Sequence, residues 1–444
     1  MKTTLKIFLL VQFVQIVLLA QPKTPDWAYN ASIYEVNVRQ FTEQGTFKAF
    51  QEHLPRLKKL GVDILWLMPI NPIGEKNRKG TLGSYYSVRD YKNINPEFGS
   101  KEDFKSLVDE IHKQGMFVIV DWVANHTSWD NPWVTDHPDF YTKDSLGNFV
   151  PPVADWADVI DLNYDNKVLW KEMTDALRYW VEEFNIDGYR CDVAGMIPTE
   201  FWDEIRPQLE RIKPVFMLAE WDTPEMHDKA FDMTYDWTLH KLMNGIYKGE
   251  KSAADLKAHI IKDQRLYPEY AFRMQFTSNH DENSWNGTEF ERLGEAAEMF
   301  AVFINLIPGM PLIYNGQEAA FNKRLDFFEK NLIVWSESNF TKLYSKLNSL
   351  KNDNKALWNG NKGGPIEFID DNSTKNVLAF IRSSDEDKVF ALFNMSSKET
   401  RVKINSPLIN GSYYDFENDK PVDINDELNQ LIKPWSYKLY YNKK

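Results

Sequence analysis

The feature that most constrains the fold is a recurring unit, a short apolar run that ends at a polar residue and alternates with an amphipathic helical stretch. The run 117–120, for example, ends at Asp121 and follows a helical pattern over 101–114 that stops at Gly115. The run 64–69 likewise follows a helical pattern over 47–60. Continuous apolar strands that alternate with helices are typical of a parallel sheet covered on both faces. The strand candidates are residues 32–39, 64–69, 117–121, 186–193, 215–219, 231–235, 273–278 and 311–314.

The number of these units favours a closed barrel. Eight strand–helix units over roughly 330 residues match a (β/α)8 TIM barrel, an α/β fold, better than an open doubly wound sheet. The first strand is followed by no G-x-G-x-x-G pattern, which also argues against a dinucleotide-binding sheet.

The helical periodicity is interrupted once inside the barrel region and ends after it. We therefore predict a barrel over residues 21–355 that includes a short insertion after strand 3, residues 127–160, called domain B below. From residue 356 onward, β-type runs such as 377–381 and 389–393 are separated by Asn, Asp and Ser turns. Residues 356–444 are predicted to form a C-terminal antiparallel β-sandwich.

The N-terminus has the pattern of a cleavable signal peptide over residues 1–20. Lys2 and Lys6 precede an apolar run over 7–19, and the small residue Ala20 precedes a polar stretch. The run is short for a membrane span, so an uncleaved anchor is the weaker alternative. The only cysteine, Cys191, is far from the cleavage point, which argues against a lipoprotein. These features predict a secreted or periplasmic protein with no membrane span in the mature chain.

The composition of the chain narrows the classes of ligand that it could bind. The formal charge is −13, and nucleic-acid binding needs a cationic surface, so that partner class is disfavoured. An acidic chain with 15 Trp and 20 Tyr suits a neutral, ring-shaped ligand better. The oligomeric state cannot be read from these features.

Chemistry-bearing side chains cluster at the predicted strand ends, where barrel enzymes place their working groups. A single acid there is usually a helix N-cap, but acids at four strand ends, with two histidines and an arginine, are not explained by capping. The residues are Asp121, His126, Arg190, Asp192, Glu220, His280 and Asp281.

The environments of these acids predict different roles. Arg190 and Asp192 share a strand face, so the arginine is expected to lower the pKa of Asp192 and keep this carboxylate ready for nucleophilic attack. A structural Arg–Asp pair is the alternative. Glu220 ends an apolar strand beside Trp221, which is expected to raise its pKa and suit it to general-acid catalysis. With Asp281 as a third acid, this set fits glycoside hydrolysis.

Four of these segments, 121–126, 188–194, 217–220 and 276–281, resemble the four ordered motifs of the α-amylase family of glycoside hydrolases. Further similar stretches are 61–69, 86–99, 161–163 and 309–318. The resemblance implies that Asp192 is the nucleophile that forms a β-glycosyl enzyme, that Glu220 is the acid/base, and that Asp281 stabilises the transition state.

The same resemblance implies that His126, Arg190 and His280 line the subsite of the attacked ring and that Tyr86 stacks on it. Asp121 would contribute to this substrate-binding set as a buried partner of the arginine. Arg324 is a further candidate for contact with sugar hydroxyls, and the alternative is an exposed loop charge.

The resemblance also bears on cofactors, although none is required for the chemistry itself. Asn125 and Asp161 match family positions that ligate a structural Ca2+, so a bound calcium ion is expected there. They are only two side-chain candidates for a cation that prefers six or more oxygens. Gly195 and Met196 stand where many family members carry Lys-His.

The function expected from this resemblance is retaining hydrolysis of α-1,4-glucosidic bonds in starch-like glucans or maltooligosaccharides. An α-glucosidase, or a transglycosylase or isomerase that uses the same covalent intermediate, is the alternative. A catalytically inactive, glycan-binding barrel is a third reading, and it is disfavoured because all three carboxylates are present.

Overall fold

The computed structural model describes residues 23–369 and 375–442, so the predicted signal peptide at residues 1–20 lies outside the described residues. The strands are β1 Ile33–Val36, β2 Ile64–Leu67, β3 Phe117–Trp122, β4 His126–Ser128, β5 Val159–Asp161, β6 Gly188–Cys191, β7 Phe216–Ala219, β8 Met233–Tyr235, β9 Phe272–Gln275, β10 Met310–Tyr314, β11 Ile366–Ile369, β12 Val377–Ser384, β13 Asp387–Asn394, β14 Thr400–Asn405, β15 Gly411–Asp415, β16 Pro421–Ile424, β17 Glu427–Ile432 and β18 Ser436–Tyr441.

Helices pack around these strands and between them. They are α1 Val38–Phe41, α2 Phe47–Gln51, α3 Leu54–Leu60, α4 Lys101–Lys113, α5 Trp133–Asp136, α6 Lys167–Phe184, α7 Thr199–Glu210, α8 Trp237–Tyr247, α9 Ala253–Leu266, α10 Glu289–Leu293, α11 Ala297–Leu306 and α12 Asn339–Asp353. Within residues 23–369 and 375–442, none of them combines the length and the apolar character that crossing a bilayer requires.

Eight parallel strands close into a barrel in the order β1-β2-β3-β6-β7-β8-β9-β10, with β10 paired back to β1. This architecture confirms the predicted (β/α)8 barrel and all eight strand candidates. Side chains alternate between two apolar clusters, as strand geometry requires. Trp66, Leu218 and Met274 fill the barrel interior, whereas Cys191 faces outward into the packing between strands and helices, as predicted.

Two boundaries differ from the sequence prediction for local reasons. The first strand, expected over 32–39, ends at Val36 because the side chain of Asn37 accepts a hydrogen bond from the Gln40 N–H and starts α1. The helical stretch 47–60 is split into α2 and α3, and Pro55 lies in the first turn of α3, where its missing N–H costs nothing.

The chain leaves the barrel between β3 and β6 to form the small insertion predicted as domain B. Its two-stranded antiparallel ladder pairs His126 with Asp161 and Ser128 with Val159. The insertion therefore begins and ends beside the barrel mouth, and its side chains can reach the ends of the barrel strands.

The C-terminal region forms a six-stranded antiparallel sheet, ordered β11-β12-β13-β18-β15-β16, and a two-stranded sheet of β14 and β17. The two sheets share one apolar cluster that includes Phe390 and Ile404, as expected of a sandwich. Arg382 of β12 is buried and donates hydrogen bonds to the carbonyl oxygens of Leu306 and Ile307, at the end of α11. This contact joins the sheet to the barrel.

Candidate active site

Three acidic side chains from three strand ends line one cleft at the barrel mouth. Asp192 follows β6 directly, Glu220 follows β7 directly, and Asp281 precedes a short helical turn after β9. The cleft has a volume of about 460 Å³, and Tyr86 and His280 also line it. The structure thus brings the three predicted carboxylates around a single ligand-sized space.

Arg190 lies at the centre of this arrangement and is fully buried. Its Nη1 donates to Asp121 Oδ1 at 2.8 Å and to Asp192 Oδ1 at 2.9 Å. Its Nη2 lies 2.9 Å from Glu220 Oε2, and Nε donates to the Tyr235 hydroxyl at 3.1 Å. One planar guanidinium therefore holds three carboxylates in a common geometry.

Asp121 lies beneath the cleft and does not line it. Its carboxylate is fully buried and accepts hydrogen bonds from Trp66 Nε1 at 3.2 Å and from the Tyr86 hydroxyl at 2.9 Å, in addition to Arg190. Burial raises the pKa of Asp121 to about 6, with Arg190 acting in the opposite direction. These contacts make it a positioning residue and place it outside direct reach of a substrate.

The pKa of Asp192 is set by opposing effects. Burial raises it to about 6, Arg190 lowers it, and the nearby Asp121 raises it again. The arginine thus acts in the predicted direction, but the sequence analysis did not include the cost of burying the charge, which brings the net pKa above its ordinary value. Asp192 becomes a competent carboxylate as the pH rises through about 6.

The pKa of Glu220 is raised to about 7, as expected of a general acid. Burial is the main cause, Arg190 opposes it, and Asp192 and Asp281 add to it. The backbone N–H of Val193 donates to Glu220 Oε2 at 2.8 Å and orients the carboxyl group. The protonated form of Glu220 is thus well populated near neutral pH.

A buried residue that the sequence analysis missed, Glu35 on β1, holds His280. Glu35 Oε1 lies 2.5 Å from His280 Nδ1, and His280 Nε2 lies 2.7 Å from the Tyr86 hydroxyl and 3.4 Å from Asp281 Oδ2. Burial lowers the pKa of His280, but Asp281 and Glu35 raise it more, to about 9. His280 is therefore an imidazolium at neutral pH. The sequence signal that could have identified Glu35 is an acidic residue within an otherwise apolar strand.

Aromatic side chains surround the acids, and most of them were also missed. The Tyr86 ring stacks at 5.4 Å on the His280 ring and at 5.9 Å on Phe327. His126 is buried, which lowers its pKa to about 3, and it lies 5.5 Å from the ring of Trp156. The added cleft residues are Trp156, Trp285, Phe327 and Phe328.

The structure places Arg324 away from the cleft. Its side chain is 48% exposed and its Nε lies 2.9 Å from Glu291 Oε2. Arg324 is therefore an exposed loop charge, which was the alternative interpretation, and it does not belong to the substrate-binding residues.

In the structure, the two predicted calcium ligands do not form a cage around a cation. Asn125 turns its Nδ2 toward His126 Nδ1 at 3.2 Å, and Asp161 is a single carboxylate whose pKa is raised by burial. Two side chains fall short of the six or more oxygens that Ca2+ prefers. Calcium therefore stays a prediction, and no chemical step is assigned to it.

Among the described residues, the one group of His and acidic ligand atoms close enough to share an ion is Asp236, His259 and Asp263. Arg273 lies 3.1 Å from the Asp263 carboxylate and 3.7 Å from the Asp236 carboxylate. A cation already neutralises these acids, so the group is an ion-pair network that ties β9 to α9.

Comparison with known families agrees with this geometry. The family described as "Alpha amylase, catalytic domain" matches residues 28–151 and 153–398. The family described as "Alpha amylase, C-terminal all-beta domain" matches residues 368–431.

Individual relatives extend over most of the chain. "Alpha-amylase MalA" of Haloarcula japonica is 28% identical over 411 residues, and the match covers 88% of this chain but 59% of that relative. The crystal structure of an alpha-amylase from Lactobacillus plantarum is 32% identical, with a TM-score of 0.83 and coverage of 94% and 100% of the two chains. A noncanonic maltogenic alpha-amylase, AmyB, from Thermotoga neapolitana is 31% identical, with a TM-score of 0.84 and coverage of 93% and 98%. With its barrel, its ordered strand-end acids and these matches, the chain belongs to the α-amylase family of glycoside hydrolases.

Proposed function

We propose that this protein hydrolyses α-1,4-glucosidic bonds of starch-like glucans or maltooligosaccharides with retention of configuration. The observation that carries the proposal is that Asp192 and Glu220 contact neighbouring nitrogens of one guanidinium, at 2.9 Å each, while Asp281 lines the same cleft. Such proximity favours the carboxyl separation of roughly 5–5.5 Å found in retaining enzymes over the longer spacing of inverting ones.

The first half-reaction follows from the two environments. Asp192 attacks the anomeric carbon and forms a C–O bond to it, the glycosidic C–O bond breaks, and Glu220 transfers its proton to the departing oxygen. This step needs Asp192 ionised and Glu220 protonated. With pKa values near 6 and near 7, the two states coexist between these pH values.

The second half-reaction reverses the proton flow. The ionised Glu220 takes a proton from water, whose oxygen displaces Asp192 from the sugar. Asp281 and the imidazolium of His280 offer hydrogen-bonding groups to the hydroxyls of the same ring. The carboxyl oxygens of Asp281 stabilise the positive charge that the ring acquires as it flattens, and His280 orients the ring hydroxyls.

The alternative, transfer of the glycosyl group to another sugar, uses the same intermediate. The two reactions differ in the acceptor that attacks the sugar bound to Asp192, which is water in hydrolysis and another sugar in transfer. 18O-labelled water therefore distinguishes them. The purified protein would be incubated with starch, maltooligosaccharides, pullulan and cyclodextrins while product lengths and anomeric configuration are followed. α-Configured products that carry the label support hydrolysis with retention, whereas unlabelled transfer products support the alternative.

The role of Asp192 is tested with Asp192→Asn, which preserves the shape of the side chain and removes the nucleophile. We expect turnover to fall by at least about 10⁴-fold, since covalent catalysis is lost, with the melting temperature nearly unchanged. Asp109→Asn, on the exposed side of α4, is the matched control and should keep full activity. Substantial hydrolysis by Asp192→Asn would contradict the proposed role.

We also propose that the chain is exported and that residues 1–20 are removed. The support is the sequence pattern of Lys2, Lys6, the apolar run 7–19 and Ala20. Mass spectrometry of the protein from separated cell fractions tests this. A mature N-terminus near Gln21 in the medium or periplasm is expected, and an intact Met1 in the cytoplasm would contradict the proposal.

A further inference from the structure

One rim of the cleft is built from three chain segments that are bound to one another. They are residues 76–82 after β2, residues 155–158 of the small insertion, and residues 327–329 after β10, and together they are called the wall. The wall residues that line the cleft are Lys79, Asp155, Trp156, Asp158, Phe327 and Phe328. The wall thus combines distant parts of the sequence at one edge of the active site.

The first junction of the wall is made by Lys79. Its Nζ lies 3.2 Å from Asp158 Oδ1 and donates a hydrogen bond to the carbonyl oxygen of Asp155. The Lys79 side chain is 35% exposed and that of Asp158 is 7% exposed. Because this ion pair is partly shielded from water, it holds the two segments together more firmly than a fully exposed pair would.

The second junction joins residues 80–82 to residues 328–329. The Thr81 N–H donates to Glu329 Oε1 at 2.8 Å, and the Leu82 N–H donates to the Phe328 carbonyl at 3.1 Å. Gly80 has φ +64, and a Cβ on it would lie only 2.5 Å from Phe328 Cβ. The two segments are therefore in direct backbone contact, with no room for an intervening side chain.

The contacts of the wall show which end of a bound glucan it faces. Phe327 stacks on Tyr86, and the Tyr86 hydroxyl donates a hydrogen bond to Asp121. Asp121 binds Nη1 of Arg190, whereas Glu220 binds Nη2 of the same guanidinium. Glu220 protonates the leaving oxygen, so the departing chain lies on the Glu220 side. The wall is on the other side, where the sugar units that become attached to Asp192 are held.

Next to Glu220, by contrast, the described residues form a flat turn after Asp192. The turn after Asp192 carries Gly195, which has no side chain, and Met196, which is 40% exposed. A Cβ on Gly195 would meet the indole of Trp221 at 2.1 Å, so this turn stays flat against the indole. A long leaving chain can therefore extend past this turn.

We propose that the wall closes the cleft to the non-reducing end of the substrate, so that the protein releases short fragments from non-reducing chain ends instead of cutting glucans internally. This inference rests on the proposed function and specifies its substrate. The volume of about 460 Å³ is in the lower part of the range of roughly 300–1,000 Å³ for pockets that enclose one small ligand. A short glycone fits such a space.

The test uses maltoheptaose that carries a fluorescent label at its reducing end, with and without a 4,6-O-ethylidene block on its non-reducing glucose. For the wild-type protein we expect early products that have lost only one or two glucose units, and at least tenfold slower hydrolysis of the blocked substrate. Lys79→Ala should raise the blocked-to-unblocked rate ratio several-fold, because it breaks the first junction. Lys76→Ala, an exposed lysine on the same segment that lies over Trp129, is the matched control and should leave the ratio unchanged.

The outcomes separate the two proposals. Equal rates on blocked and unblocked wild-type substrates, with labelled products of mixed length, overturn the inference and leave the proposed hydrolysis intact. The absence of turnover on both substrates overturns the proposed function and this inference with it. An equal change of the ratio in Lys79→Ala and Lys76→Ala removes the assigned role of the Lys79 junction.

Discussion

Glu35 provides the sharpest test of the electrostatics at the active site. In the wild type, Glu35 Oε1 lies 2.5 Å from His280 Nδ1. Replacement of Glu35 by glutamine keeps an oxygen acceptor near this nitrogen but removes the carboxylate. Burial alone lowers the pKa of a histidine in this protein strongly, as His126 at about 3 shows. We therefore expect the pKa of His280 to fall below its wild-type value of about 9 in Glu35→Gln, while Asp281, which also raises it, stays in place.

The magnitude follows from this shift. The rise of the His280 pKa from 6.5 to about 9 corresponds to about 3 kcal/mol at 1.36 kcal/mol per unit. Asp281 and Glu35 both contribute to this rise, so Glu35→Gln should lose only part of this amount. Because the folded pKa of His280 is above its unfolded value, this stabilisation is fully present below pH 6.5 and is lost as the pH rises through 9. The stability difference between wild type and Glu35→Gln should therefore be largest in mildly acidic buffer and shrink toward pH 9, as denaturant titrations would show.

The pH profile of kcat/KM is the functional assay. For the wild type it should rise near pH 6, as Asp192 ionises, and fall near pH 7, as Glu220 loses its proton. In Glu35→Gln the neutral form of His280 appears at lower pH than in the wild type, so the falling limb should move to lower pH and the maximum should drop. The 15N shifts of the His280 ring report the same change directly.

Tyr86→Phe is the matched control for this prediction. It removes the hydroxyl that lies 2.7 Å from His280 Nε2 but no charge, so it should lower the rate without moving the falling limb. A wild-type pH profile for Glu35→Gln, together with His280 ring shifts that titrate at the same pH as in the wild type, would refute the reasoning.

Two further predictions concern stability. Gly195→Ala places a Cβ 2.1 Å from the Trp221 indole, and such overpacking should cost roughly 1–3 kcal/mol; an unchanged melting temperature would show that the indole moves freely. If Asn125 and Asp161 hold calcium, a chelator should lower the melting temperature of the wild type but have a smaller effect on Asp161→Asn; a melting curve insensitive to chelator removes the ion from the description of this protein.

Local sequence patterns determined the architecture and part of the site. Four continuous apolar runs and four further strand candidates predicted the barrel, because a strand covered on both faces is apolar along most of its length. The alternation of side chains placed Arg190 on the face of Asp192 and turned Cys191 away, and both placements are observed. Each of these features depends on neighbours within a few residues, so the sequence alone is enough to predict them.

The contacts between residues far apart in the sequence depend on the tertiary structure. Glu35 and His280 are 245 positions apart and meet only because β1 and β10 close the ring, and Lys79 reaches Asp158 only because the insertion folds back over the mouth. The effect of Arg190 on the pKa of Asp192 was predicted, but the larger effect of burial was not, since burial depends on everything that packs around a carboxylate and no adjacent residue reports it. Local chemistry is therefore readable along the chain, whereas distances across the barrel and the energetic cost of burial come only from the tertiary structure.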